Sequence, residues 1–300
     1  MKKIVIGMLV VIAIIAAGGL YFYWQASTLQ SQRITDDVHM ISGLGGNVTV
    51  IRTGEGAVVV DSMTFKFQGD NIRELAEELT GEPVKTVINT HYHLDHTHGN
   101  PAFPADTQVI ATTKTAEYLK RCDADYFEGG DGFPNKLVES ETDIRIGSKT
   151  LRILTPGRGH TGGDLAVLVV EDDVLVAGDL FFNNYYPNID IEAEASVELW
   201  PDALDYLALL GAKHIIPGHG DLSDVAGMNR FRDFMIELGA AAKANAGKTL
   251  KQASAAIDLK TAKGYNAIGI PLIWQLDRDF AVRRAWEEAS GTVKPGGCSN

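Results

Sequence analysis

Between Thr90 and Asn100 the chain reads T-H-Y-H-L-D-H-T-H-G-N, which sets three imidazoles (His91, His93, His96) and a carboxylate (Asp95) within six residues. The protein has 8 histidines in 300 residues, and half of them, counting His98, fall in this one stretch. Imidazoles this close repel one another when protonated and have few ways to satisfy one another when neutral, so a cation is their natural partner. Neutral nitrogen and carboxylate oxygen suit a borderline divalent ion such as zinc, with iron or manganese as substitutes. The lack of thiolate argues against a structural four-cysteine site. His91 and His93, two apart in an extended stretch, share a face and can hold one ion. Asp95 and His96 continue into the turn and can reach a second, at the roughly 3.5 to 4 Å that separates paired catalytic metals.

Four donors do not complete two catalytic sites. The missing ones are expected in glycine-rich turns that follow strands, and His160 in G-R-G-H-T-G-G-D, Asp179 in V-A-G-D-L and His219 in I-P-G-H-G-D fit. Each is flanked by glycine, which permits close backbone approach. Two divalent ions lower the pKa of a shared water from about 15.7 toward neutrality, so a metal-bound hydroxide can attack a carbonyl carbon without a serine or cysteine. Asp95 is the expected catalytic residue, orienting that nucleophile and carrying a proton to the leaving group. Asp164 and Asp221 are candidates for fixing imidazole tautomers. His39, His98 and His214 read as structural, with contact to the ligands as the alternative for His98. The stretch Phe181 to Tyr186 reads either as a substrate pocket or as a surface loop with buried rings, and Asp123 to Gly132 as a flap or a solvated turn.

These side chains need elements to aim them. Short β-type runs at Val38 to Ser42, Asn47 to Arg52 and Ala57 to Asp61 are separated by glycine clusters. Helical spacing over Phe67 to Leu79 follows, and Val84 to Asn89 is a buried-type strand leading into the histidine cluster. A second cycle has strands at Gln108 to Ala111, Asp143 to Ile146, Lys149 to Leu154, Leu165 to Val170, Val174 to Ala177 and His214 to Ile216. Its helices are expected over Thr113 to Arg121, Ser196 to Leu210 and Asp224 to Ala242, and amphipathic helices over Leu250 to Leu259 and Leu272 to Ala289 close the chain. Two such cycles indicate an α+β protein with two packed sheets and helices outside.

The formal charge of −12 and pI near 5.1 disfavour a nucleic-acid partner and favour a small-molecule substrate. Ile4 to Trp24 is 21 residues without a charge, preceded by Lys2 and Lys3 and ending in the aromatic cluster Tyr21 to Trp24. At about 1.5 Å per residue it matches the roughly 30 Å of a bilayer core, so an uncleaved transmembrane helix with the remainder outside the cytoplasm is expected. A cleaved signal peptide, with secretion into the periplasm, is the alternative. Cys122 and Cys298 allow a disulfide without requiring one.

The H-x-H-x-D-H run from His91 to His96, followed in order by His160, Asp179 and His219, resembles the metallo-β-lactamase superfamily of hydrolases over roughly residues 36 to 240. The resemblance implies a four-layer αβ/βα sandwich with two Zn²⁺ in a cleft at one edge of the sheets. It assigns His91, His93 and His160 to the first metal and Asp95, His96 and His219 to the second, with Asp179 bridging. That set looks more like glyoxalase II, lactonases and periplasmic hydrolases of quinoprotein or sulfur-oxidation systems than like the cysteine-bearing zinc β-lactamases. It therefore implies action on an ester, thioester, lactone or related amide. The alternatives are a non-catalytic metal- or substrate-binding partner of a periplasmic oxidation system and an iron-dependent redox enzyme. The organisation expected is an anchor at 1–26, a linker at 27–35, the catalytic domain at 36–242 and a helical extension at 243–300.

Overall fold

The computed structural model describes residues 2–270 and 274–298, and for residues 2–10 and 270 the backbone alone. The chain opens with helix α1 (Lys2–Ser27), followed by strands β1 (Gln30–Arg33), β2 (Val38–Ser42), β3 (Val48–Ile51) and β4 (Ala57–Val60). Helix α2 (Lys66–Thr80), β5 (Val84–Ile88), the short turn of helix α3 (Leu94–Thr97), β6 (Gln108–Thr112), α4 (Thr113–Cys122) and β7 (Lys136–Val138) complete the first half. The second half holds β8 (Thr142–Ile146), β9 (Lys149–Leu154), β10 (Ala166–Val169), β11 (Val174–Phe182), α5 (Trp200–Ala208), β12 (His214–His219) and α6 (Val225–Asn245). It closes with α7 (Leu250–Ala256), the hairpin strands β13 (Ile268–Ile270) and β14 (Trp274–Leu276), and α8 (Arg278–Ser290).

Strands β1 to β7 form one sheet in sequence order, antiparallel through β4 and parallel from β4 to β7. The other sheet runs β12, β11, β10, β9, β8, with only the β11–β12 pair parallel. Alternation of side chains sorts each strand between layers. In β4, Val58 and Val60 face the second sheet while Ala57 and Val59 face α2; in β10, Val167 and Val169 face the first sheet while Ala166 and Leu168 face the helices beyond. Three cores therefore stack between four layers, helix on sheet on sheet on helix, the sandwich expected from the sequence. Each fully buried Val, Leu or Ile contributes about 1.5–3 kcal/mol to holding them.

Several elements depart from their expected form. The stretch expected as a linker, residues 27–35, contains β1, which pairs with β2 at the sheet edge. β11 continues to Phe182, beyond the expected Ala177, because its last residues remain beside β12. The helix expected from Leu272 starts only at Arg278: Asp277 accepts the Phe280 N–H at 2.9 Å and caps it, while Trp274–Leu276 pairs with β13. Leu272 itself lies outside the described residues. The extension is not separate from the core, since Ala281, Val282 and Ala285 of α8 share a cluster with Trp200 and Phe231.

Helix α1 has 26 residues, and its last turns touch the body: Gln68 Nε2 donates to the Ala26 carbonyl at 3.0 Å, and Phe22 meets Phe65 edge-on at 5.9 Å. No helix is long and apolar enough to cross a membrane among the described residues, and the side chains of residues 4–10 of the expected span lie outside them. Cys122 and Cys298 form a disulfide across 176 residues, so α4 and the C-terminal tail are joined.

Candidate metal centre

The first sheet ends β5 at Ile88 and turns through Asn89 and Thr90 into the histidine cluster, where α3 bends the chain so that His91, His93, Asp95 and His96 converge. The second sheet contributes Asp179 from β11 and His219 from the end of β12; the loop between β9 and β10 contributes His160. The β11–β12 register is irregular on both sides of Gly178, which frees Asp179 from regular alternation. Gly178 has φ +53°, and a Cβ there would fall 2.6 Å from Thr90 Cβ. A Cβ on Gly218 would fall 1.9 Å from Asp179 Oδ1. Glycine is therefore obligatory where these two strands pass the site.

All seven sequence-derived candidates come together in two groups, His91, His93, His160 and Asp179, and Asp95, His96 and His219, each with donor atoms within 4.8 Å of one another. Asp179 faces both. Its Oδ2 lies 3.8 Å from His91 Nε2 and 3.5 Å from His160 Nε2, and its Oδ1 lies 3.2 Å from His96 Nε2 and 3.5 Å from His219 Nε2. Asp95 Oδ2 is 3.3 Å from His219 Nε2 and 3.7 Å from His96 Nε2. Two donors bound tetrahedrally at 2.0–2.1 Å stand about 3.3 Å apart, so these separations match a ligand shell.

Outward hydrogen bonds set the tautomers. His96 Nδ1 meets Asp61 Oδ2 at 2.8 Å, His93 Nε2 meets Asp190 Oδ2 at 2.9 Å, and His160 Nδ1 meets the Asn188 carbonyl at 2.9 Å. Thr90 Oγ1 donates to Asp61 Oδ2 at 2.7 Å, leaving its oxygen to accept from His91 Nδ1 at 3.0 Å. In all four rings the outer nitrogen donates, so in the neutral ring the inner nitrogen presents a lone pair. The inner atoms His91 Nε2, His96 Nε2 and Asp179 Oδ1 are buried without a hydrogen-bond partner. His160 Nε2 and His93 Nδ1 lie 2.7 Å apart, lone pair to lone pair, an arrangement that requires a proton or a cation between them. The donor set fits a pair of divalent ions.

Charge follows the same division. Burial, then neighbouring His96 and His160, hold His91 well below the usual imidazole range. Burial outweighs the attraction of Asp179 and brings His160 to about 4. Burial also opposes charge on His219 and His96, but Asp179 and Asp95 win, raising His219 to about 9 and His96 well above normal. Burial would raise Asp179, yet the imidazoles of His219, His96, His160 and His91 pull it well below the carboxylate range. Asp95 is lowered in the same way, by His96 and His219 against its own burial.

The tautomer-fixing groups differ from those expected. Asp164 binds its own loop, accepting the Thr161 N–H at 2.9 Å, and burial brings its pKa up to about 7. Asp221 lends only its backbone carbonyl, to Asn183 Nδ2. Their roles fall to Asp61 and Asp190, both buried. Asp61 ends the apolar run A-V-V-V-D, a strand-end carboxylate like Asp179, and was findable on that ground; Asp190 carries no comparable signal. His98 touches no candidate ligand: it pairs with Asp123 at 2.5 Å and stacks on Tyr126 with 3.6 Å between centroids, pinning the 123–132 segment. Phe181 and Phe182 are buried strand residues, and Phe182 stacks on His219 at 5.2 Å. Tyr185 and Tyr186 pack on the large helical core; Tyr186 lines a separate cavity with Tyr265 and Arg278, and none of the stretch lines the cavities that contain candidate ligands.

Residues 41–219 match the sequence profile of the metallo-beta-lactamase superfamily. The chain is 26% identical over 183 residues to the type 2 metallo-beta-lactamase of Bacillus sp. (strain 170), covering 59% of this chain and 68% of that one. It is 31% identical over 155 residues to hydroxyacylglutathione hydrolase of Rhodospirillum rubrum, covering 50% of this chain and 53% of the relative. In fold it resembles the metallo-beta-lactamase from Pontibacter korlensis, with TM-score 0.60 and 23% identity over 70% of this chain and 99% of that one. With the profile spanning more than half its length, the seven converging side chains inside or at the edge of that span, and named relatives that are hydrolases, this chain belongs to the metallo-beta-lactamase superfamily.

Proposed function

We propose that this protein is a dinuclear, zinc-dependent hydrolase of an ester, thioester, lactone or related carbonyl compound. The observation that carries the reading is Asp179, which turns one oxygen to each donor group while four imidazoles present lone pairs around it. His91, His93 and His160 would hold one ion and Asp95, His96 and His219 the other, with Asp179 shared. When bound, such ions polarise the substrate carbonyl and make water nucleophilic at neutral pH. The protein's part is placement. Asp61, Asp190, Thr90 and the Asn188 carbonyl hold the imidazoles in register, and Asp95, which lines the cleft as a carboxylate, would accept a hydrogen bond from the attacking water and so orient it.

Both cysteines are consumed in the Cys122–Cys298 disulfide, so neither is a ligand, and the pairing supports residence in an oxidising, extracytoplasmic compartment. We place α1 as the membrane anchor there, on the charge-free run Ile4 to Trp24. Turnover of a panel of thioesters, lactones, esters and β-lactams, with zinc measured in the same sample, tests the reading. Hydrolysis of one carbonyl class, lost on zinc removal and restored by readdition, is expected; full zinc occupancy with no turnover of any class contradicts it.

A further inference from the structure

The cleft beside the metal-ligand groups has two arms of contrasting chemistry. One, about 470 Å³, contains Asp95, Asp179 and His219 and is walled by Phe22, Leu44, Phe65, Ile268, Trp274 and Leu276. No lysine or arginine lines it among the described residues. The other, about 410 Å³, shares His93, Leu94 and Trp274 with the first and is mixed further on, where Ile189 and Phe280 stand beside the charged Asp123, Glu192, Arg283 and Arg284. The apolar wall is unusual for its exposure: Phe22, Leu44 and Trp274 are 47%, 43% and 55% exposed, and Leu94 at the junction is 51% exposed. Singly exposed apolar residues need no explanation, but a ring of them opening onto a catalytic cleft marks a binding surface. Phe22 belongs to the last turns of α1, whose Val11, Ile12, Ile14, Ile15 and Leu20 are also exposed.

We infer that the substrate is an ester or thioester of a fatty acid, its hydrocarbon chain lying in the Phe22, Leu44 and Trp274 arm and its polar leaving group in the arm of Asp123 and Arg283. This deepens the hydrolase reading and rests on it for the chemistry. Water adds to the carbonyl carbon, the bond to the leaving oxygen or sulfur breaks, the leaving group takes up a proton, and the fatty acid is released. Away from the metal-ligand groups the apolar arm has no lysine or arginine among the described residues to recognise an anionic acyl group, and it has three exposed apolar side chains to gain by covering, which favours a plain alkyl chain. The four charged side chains of the second arm, Asp123, Glu192, Arg283 and Arg284, make it the less favourable place for that chain and the better one for a polar leaving group.

The test uses the full chain, zinc-loaded, in lipid nanodiscs, with acetyl, butyryl, octanoyl and dodecanoyl esters of one nitrophenol. A kcat/KM gain of roughly fourfold per methylene is expected over the shorter members, the gain that full burial of each methylene supplies. Leu44→Glu, which puts a carboxylate in the apolar wall, should flatten the gradient. Partition of the esters into lipid is common to both proteins, so the difference in slope reports the arm. Equal kcat/KM across the series in the wild type, or an unaltered slope in Leu44→Glu, overturns the inference. Should no ester be turned over with zinc in place, the ester branch of the hydrolase reading fails, and dodecanol then decides the arm by itself. Slower backbone hydrogen exchange at Gly45 and Trp274–Leu276 in the wild type and not in Leu44→Glu supports it; no protection overturns it.

Discussion

At the residue scale the centre is a set of imidazoles held by carboxylates that never face the cleft. Asp190 accepts from both Tyr92 and His93, and Asp61 from both Thr90 and His96, so each acid fixes a ring in the tautomer a metal requires. Asp190→Ala is expected to weaken zinc affinity by about 10- to 100-fold, as loss of a carboxylate behind a ligating histidine does, with chelator competition as the measure. Gly218→Ala should be more severe: its methyl would occupy the place of Asp179 Oδ1, and bound metal should fall in a chain that still melts cooperatively. Histidine density made the ligands legible in the sequence, because chance does not crowd imidazoles. Asp190 was not legible, since an acid 94 positions beyond the last residue of the cluster has no local pattern and gains its role only when the loop carrying it folds over His93.

At the element scale, strand alternation and glycine-bounded turns disclosed most strands because each has one face per core, as in β4 and β10. Elements decided by pairing were hidden. β1 reads Q-S-Q-R, with no apolar face to betray it, and forms because the edge of β2 is open to it. Trp274 to Leu276 continues the apolar spacing of α8 but ends before the Asp277 cap. The sheets are also tied at their rim by Lys149, which is buried and donates to Asp37 and Asp172, both at 2.7 Å. Asp37 keeps Arg52 and Asp172 keeps Thr35 as partners, so Lys149→Met should cost about 1–2 kcal/mol in urea denaturation near neutral pH, less than a fully stranded buried charge would. The Lys149 hydrogen bond is the main cause that holds Asp37 below its ordinary carboxylate value. A depressed carboxylate contributes stability above its unfolded pKa and loses it as pH falls through the folded one, so the deficit of Lys149→Met should shrink in acid below the ordinary carboxylate range.

At the scale of the whole molecule, the ends of the chain converge on the cleft. α1 supplies Phe22 to its wall, and the C-terminal hairpin supplies Trp274. The tail is joined to α4 by Cys122–Cys298, a cross-link closing 176 residues. Cys298→Ser should lower unfolding free energy by about 2–4 kcal/mol under oxidising conditions, and wild-type protein in reducing buffer should show the same loss. The sequence left this pairing open because the P-G-G-C-S-N tail carries no apolar pattern to place it; its position is set by contacts such as Arg121 with the Gly297 carbonyl.

The pair of metals is the claim on which the rest stands, and Asp179 is its pivot. Metal content per chain, measured by mass spectrometry on wild type and Asp179→Ala purified without chelator, tests it most directly. Two ions per chain in the wild type, falling to one or fewer in a variant that keeps its fold, is the predicted result. A wild-type chain that retains no zinc, iron or manganese, or a variant that retains both ions, would contradict the account.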